Sequence, residues 1–312
     1  MGGGGGSYYD FSSGKSAEEI QSEKAREAKS EVEGGTYRSE VNGFLGEVLA
    51  RSNDRDADAQ AERLERICRA VDRGIEGEVS ILFGGSVQKN TYVKGLSDVD
   101  GLLLIDNSEL QDKSPSEVIA FIKQRLEERY PNSTIVAGGC SVKIRLAGEE
   151  IQVLPALKTT TGYKICDENT GDWSSVIRPL RFAEALTEVN KDSGGLAVPA
   201  IKIVKNIVAQ LPEPKRIMGH HLEAIASDAF RCYSGQKDRM SATKHLISAC
   251  VNSVQRPIAD ITGQSAYVDE YLGGEGSVKR RNVADAFTRI QRRINAADSS
   301  ASVQAWKELF NE

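Results

Sequence analysis

Hydrophobic positions change their spacing several times along the chain, and each change predicts an element. Residues 1–15 carry Gly2 to Gly6 in a row and then Ser7-Tyr8-Tyr9-Asp10-Phe11-Ser12-Ser13-Gly14. Nothing there offsets the entropy of ordering the backbone, so the stretch reads as a flexible tail. Residues 16–33 are charged, with Ile20 and Val32 the large apolar positions, which predicts a solvated helix. Helical spacing then appears twice between 40 and 75: Val41, Phe44, Leu45, Val48 and Leu49, and later Leu64, Ile67, Cys68 and Val71. Asn53-Asp54-Arg55-Asp56 separates the two, which predicts a helical N-terminal support.

From 79 the period shortens. Val79-Ser80-Ile81-Leu82-Phe83 predicts a buried strand running into a tight turn at Gly84-Gly85-Ser86. Asp98-Val99-Asp100-Gly101-Leu102-Leu103-Leu104-Ile105 predicts a second strand. Ser114-Pro115-Ser116-Glu117 is a capping box with proline at the first helical position, and Val118, Ile119, Ile122 and Leu126 give its helix an inward face. Residues 142–146 and 150–154 predict a hairpin across Ala147-Gly148. Beyond about 180 the pattern is helical almost throughout, with helices expected over 196–208, 219–234, 241–254 and 279–297. The expected class is α+β: a tail at 1–15, a small mixed sheet with helices over 16–178, and a helical lobe over 179–312.

Charge narrows the function. Forty Lys and Arg stand against 45 Asp and Glu, a net charge of −5. Uniform attraction to a polyanion is excluded, so any phosphate site is built locally. The apolar runs are a handful of residues long, such as Leu102 to Ile105, against the roughly 20 that a membrane span needs. No membrane insertion is expected. The N-terminus lacks a signal-peptide layout. The five cysteines are odd in number and no two lie closer than Cys232 and Cys250. Neither zinc nor a disulfide framework is expected, and reduced thiols imply a cytoplasmic protein.

Candidate chemistry concentrates between Phe83 and Asp100. A strand ending in Gly-Gly-Ser lets backbone N–H groups and a hydroxyl approach phosphate oxygens. Asp98 and Asp100, two apart on a strand, leave the same face. Two such carboxylates suit a pair of Mg²⁺ ions that take their remaining ligands from substrate phosphates. Gly14-Lys15-Ser16 imitates the end of a phosphate loop, but Tyr9 occupies the glycine position and no strand precedes it.

With Thr91-Tyr92-Val93 and Ser97-Asp98-Val99-Asp100, this stretch resembles the active-site signature of DNA polymerase β-like nucleotidyltransferases. More narrowly it resembles the cGAS/DncV-like enzymes (CD-NTases) of bacterial antiphage defence. Gly171-Asp172-Trp173, residues 257–264 and 268–273, and Trp306-Lys307-Glu308-Leu309-Phe310 are similar to later segments of that family. The likeness spans roughly residues 40–312. It implies a polymerase β-like palm and a helical lobe, and a Mg²⁺-dependent (or Mn²⁺-dependent) nucleotidyltransferase. The implied substrates are nucleoside triphosphates, ATP or dATP foremost. The implied product is a short cyclic or linear oligonucleotide read by a separate effector protein. Asp98 and Asp100 would hold the metals. Gly85, Ser86 and Lys205 would hold phosphates, with Lys202 a neighbour on the same helix.

The family's third metal-binding carboxylate falls on Gln152 here, in Glu150-Ile151-Gln152-Val153-Leu154-Pro155-Ala156. A neutral amide is a weaker ligand and cannot act as a base. Glu150, two residues earlier on the same strand face, is the expected substitute. A substrate-trapping Glu→Gln substitution and a naturally weak enzyme or nucleotide sensor are the other readings. Lys89 and Lys94 are further candidate phosphate ligands. His220-His221 is a poor metal pair, because adjacent helical residues point apart. Arg280-Arg281 and Arg292-Arg293 read as solvated faces or a basic rim, and Tyr233, Tyr267 and Tyr271 as core residues or base-stacking platforms. Tyr8 and Tyr9 suggest protein-primed DNA oligomer synthesis, as in the Hailong systems of this broad group.

Overall fold

The computed structural model describes residues 17–312, apart from short stretches at 54–56, 73–77, 84, 94–95, 97–98, 107–108, 147, 168–169, 175, 177–178 and 261–266. Helix α1 runs from Ala17 to Asn53 and α2 from Ala57 to Asp72. Strand β1 (Glu78–Phe83) leads to a single helical turn, α3 (Gly85–Gln88), and then to β2 (Val99–Asp106). Helix α4 (Pro115–Arg129) precedes β3 (Ile135–Ala137), β4 (Val142–Leu146), β5 (Glu149–Lys158) and β6 (Tyr163–Ile165). The rest is helical: α5 (Pro179–Asp192), α6 (Ala197–Ala209), α7 (Gly219–Phe230), α8 (Arg239–Ser253), α9 (Val278–Ser299) and α10 (Val303–Lys307). The α+β class expected from the spacing is the one observed.

The sheet is ordered β1-β2-β5-β4-β3, with β6 pairing the far end of β5. Strands β2 and β5 run parallel and the other pairs antiparallel. Alternation sorts the two faces. Leu103 and Ile105 of β2 join Ile151 and Val153 of β5 in a core with Leu64 and Ile67 of α2 and Val118, Ile122 and Leu126 of α4. Leu104, Ala156 and Ile165 form a smaller cluster with Leu82 and Leu102. Pro155, which has no N–H, sits in mid-strand where β4 has ended at Val153 and β6 begins at Ala156, so its edge needs no donor there. Gly101 lets α2 close on the sheet: a Cβ there would come within 2.8 Å of Leu64 Cδ2 and 3.0 Å of Ile81 Cδ1. Ser114 caps α4 as expected, with its side chain and that of Glu117 bonded reciprocally.

The expected N-terminal support divides. Helix α2 lies on the sheet, whereas Val41, Phe44, Leu45 and Val48 of α1 enter a second core with Ile201, Val204, Phe230, Leu246, Phe287 and Trp306. Trp306 is fully buried, and its Nε1 donates to Tyr37 Oη on α1 at 2.9 Å.

The cysteine expectation is corrected. Cys140 and Cys166 form a disulfide, closing 26 residues and tying the turn before β4 to the end of β6. Their spacing carried no signal because the sheet, not the sequence, brings them together. Cys68, Cys232 and Cys250 are free thiols. Among the described residues no helix is long and apolar enough to cross a membrane.

Candidate functional site

Strand β1 delivers the chain to α3, and the segment after α3 folds back onto it. Ser86 O accepts from Thr91 N at 2.9 Å and Tyr92 N at 3.0 Å, and Asn90 takes a left-handed φ of 57° to close the turn. Asn is one of the few side chains that adopts this φ at little cost. The Gly85-Ser86 step thus opens a short helical turn, as a phosphate-approaching turn requires. Gly84, Lys94 and Asp98 lie outside the described residues, as do Tyr8 and Tyr9.

Asp100 is the second residue of β2 and pairs in register with Gln152 of β5. In a parallel pair, register partners share a face, so the position expected for the third carboxylate does stand beside Asp100. Gln152 Nε2 donates to Ser141 Oγ at 2.9 Å, next to Cys140 of the disulfide. That leaves the amide oxygen as the Gln152 atom suited to a cation. Glu150 accepts from Lys143 Nζ at 2.7 Å, and that bond and charge hold its carboxyl below the usual range. Among the described residues no three His, Cys, Asp or Glu side chains gather to hold a metal. One member of the expected set lies outside that group and another is an amide. The oxygens of Asp100 and Gln152 on one face still match what Mg²⁺ takes from protein.

Lys205, on α6, reaches this turn. Its ammonium donates to Thr91 O at 2.9 Å and Thr91 Oγ1 at 3.3 Å. It also donates to Glu223 Oε1 of α7 at 2.9 Å. Glu223 is 1% exposed and also accepts from Thr91 Oγ1 and pairs with Lys89. Burial alone would raise the Glu223 pKa; Lys89 and Lys205 outweigh it and bring the carboxyl down to about 2. Burial draws Lys205 below the usual lysine range, with Glu223 opposing. Asp100 is near enough to favour the charged form of Lys205. The Lys89 ammonium also lies 5.1 Å from the Phe182 ring centroid. Sequence reasoning missed Glu223. Its signal was a lone acid in the apolar run Leu222-Glu223-Ala224-Ile225-Ala226.

Other candidates fall elsewhere. Lys202 donates to Asn53, at the end of α1. His220 Nε2 bonds Val268 O at 2.9 Å and His221 Nδ1 bonds Tyr271 Oη at 2.9 Å, so the two histidines serve separate partners. Arg280 corrects the expectation of a solvated face or rim: it is 1% exposed and bound to Asp269. Arg281 donates to Gly276 O and Arg293 to Glu308 O. Tyr271 is half-buried on His221, Tyr233 packs on Phe230 and His245, and Tyr267 is exposed.

Residues 37–190 match the Second Messenger Oligonucleotide or Dinucleotide Synthetase domain. No curated protein matches the chain. Several solved structures share its fold. The Escherichia coli MS115-1 CdnC structure with ATP superimposes with a TM-score of 0.65 at 15% identity, covering 82% of this chain and 92% of that one. CdnG from Bradyrhizobium diazoefficiens, in complex with GTP, gives 0.65 at 13% identity over 86% and 94%. The DncV cyclic AMP-GMP synthase of Vibrio cholerae, with nonhydrolyzable GTP, gives 0.61 at 12% identity over 96% and 91%. The domain match over residues 37–190, the sheet with Asp100 facing Gln152, and the shared fold together make the chain similar to the cGAS/DncV-like nucleotidyltransferases.

Proposed function

We propose that this chain is a Mg²⁺-dependent nucleotidyltransferase that makes a short cyclic or linear oligonucleotide signal in antiphage defence. An acceptor hydroxyl attacks the α-phosphate of a nucleoside triphosphate. A P–O bond forms there, the bond to the β-phosphate breaks, and pyrophosphate leaves with the hydroxyl proton passing to solvent. The observation that carries this reading is the convergence of Lys205 and the Gly85-Ser86 turn near Asp100. Lys205 and Ser86 bind the β and γ phosphates, and the backbone at Gly85 lets them approach. Asp98, Asp100 and the Gln152 oxygen are the residues that would hold Mg²⁺. When bound, that ion supplies charge neutralisation for both the attacking hydroxyl and the leaving pyrophosphate. A separate effector protein reads the product.

The test is product analysis by mass spectrometry with all eight NTPs and dNTPs. Asp100→Ala is expected to lower turnover by more than about a hundredfold, the scale of losing one group that stabilises developing charge, with an unchanged thermal midpoint. Wild-type product formation by that variant counts against the assignment.

Gln152 favours a second reading, a weakly active nucleotide-binding sensor. Gln152→Glu distinguishes the two: a large gain in rate marks the wild type as the weak form. Equal, robust rates leave Glu150 or the amide oxygen as sufficient.

A further inference from the structure

An acid as buried as Glu223 is rare unless paired, and here two cations and a hydroxyl surround it. They come from both cores. Lys205 and Glu223 stand on α6 and α7 of the helical core, while Lys89 and Thr91 follow α3 on the sheet side. Two ammoniums share one carboxylate, so the cluster holds a net single positive charge. Without the carboxylate the ammoniums would lose their shared counter-charge and keep each other's repulsion and the cost of burial. Resting on the reading above, we propose that Glu223 is a positioning residue for triphosphate binding. Its carboxylate pairs with both Lys89 and Lys205 and holds them beside the segment that folds back onto the Gly85-Ser86 turn.

The geometry fixes the expected pH behaviour. Lys205 is faced by Glu223 from α7, Lys89 from the turn after α3, and Asp100 from β2. His220, on α7, also feels Lys89 and Glu223. Lys205 binds phosphate while protonated, so binding is present below its pKa and fades as pH rises through it. Burial already lowers that pKa, and Glu223 is its largest support. Glu223→Gln keeps the side-chain size and an acceptor for Thr91 but deletes the charge. The alkaline limb of triphosphate binding then moves to lower pH.

The experiment measures the Kd of a nonhydrolyzable ATP analogue with Mg²⁺ by calorimetry between pH 6 and 10, in full-length wild type and variants. Glu223→Gln is expected to shift the alkaline limb down by about one unit or more, the scale set by a close opposite charge. Its binding therefore weakens relative to wild type by up to about tenfold at pH above both limbs and is unchanged by this term at pH below both. Glu223→Asp restores part of the shift. Lys89→Met removes a repelling charge and moves the limb the other way, which keeps the test open if the Gln variant does not fold. Triphosphate binding with unmoved limbs in these variants overturns the role of Glu223 and leaves the enzyme assignment standing. A wild type that binds no triphosphate overturns both.

Discussion

Arg280 donates to Asp269 Oδ2 at 2.6 Å and to the carbonyls of Gly273, Val254 and Arg256 at 2.8, 3.1 and 3.1 Å. A guanidinium offers five N–H groups in a fixed fork, and this one is spent on organising the segment between α8 and α9. His221 completes the cluster, with Nε2 3.5 Å from Asp269 Oδ2 and no hydrogen bond at that nitrogen. Burial, opposed by Asp269 and aided by His220 and Arg280, lowers the His221 pKa to about 4. The unfolded chain therefore takes up this proton near pH 6.5 while the folded chain refuses it until about 4. The associated stability is complete above pH 6.5 and is lost as pH falls toward 4. Urea unfolding at pH 7 and pH 5 should show a wild-type loss of roughly 2 kcal/mol that His221→Gln largely removes. An equal pH dependence in both proteins would refute it. None of this was legible in Arg280-Arg281, which has the charge pattern of a solvated helix face. Burial there is decided by a loop that folds over one turn of α9, and residue spacing within a helix does not record what covers it.

At the scale of elements the hydrophobic period carried far. The strands at β1, β2, β4 and β5, the capped α4 and helices α6 to α9 follow from it, because each buries one regular face. Strands β3 and β6 did not follow: each has three residues, too few to show alternation, and β3 is mostly exposed. Gly101 reads as a flaw within a strand, yet it is where α2 approaches the sheet. The disulfide joins these hard-to-read parts, clamping the turn that carries Ser141, the partner of Gln152. Closing 26 residues removes freedom from the unfolded chain, worth roughly 2–4 kcal/mol. Cys166→Ser should lower the unfolding free energy from urea titration by that amount in oxidising buffer, with a lower midpoint, and reduction of the wild type should erase the difference. A wild-type midpoint indifferent to reductant would show that the bond contributes nothing. Within the site, the Asp100 and Gln152 strands were legible, and they pair in register. The Glu223 cluster was not, because its members are spread from Lys89 to Glu223 and only the packing of α6 and α7 unites them.

At the scale of the molecule, the helical core is discontinuous in sequence. Its first contribution comes from α1, the sheet core intervenes, and α5 to α10 supply the remainder. Helix α1 packs against α6, α8 and α10. Phe44 meets Phe310 edge to face at 5.3 Å, and Tyr37 Oη donates to Asp298 Oδ1 at 2.9 Å beside the Trp306 indole. The lobe expected over 179–312 should therefore not fold by itself. Removing α1 uncovers the partners of Tyr37, Val41, Phe44, Leu45, Val48 and Leu49. At about 1.5–3 kcal/mol for each large apolar side chain, the loss is on the order of 10 kcal/mol, comparable to the whole stability of an ordinary domain. A 179–312 fragment is expected to lack a cooperative thermal transition and a near-ultraviolet signal from Trp306. Supplying a peptide of residues 17–53 should restore both, since α1 makes its contacts through its own regular face and needs no covalent link to do so. A sharp melt from the fragment alone would mean that α5 to α10 close their own core and that α1 is only an external strut.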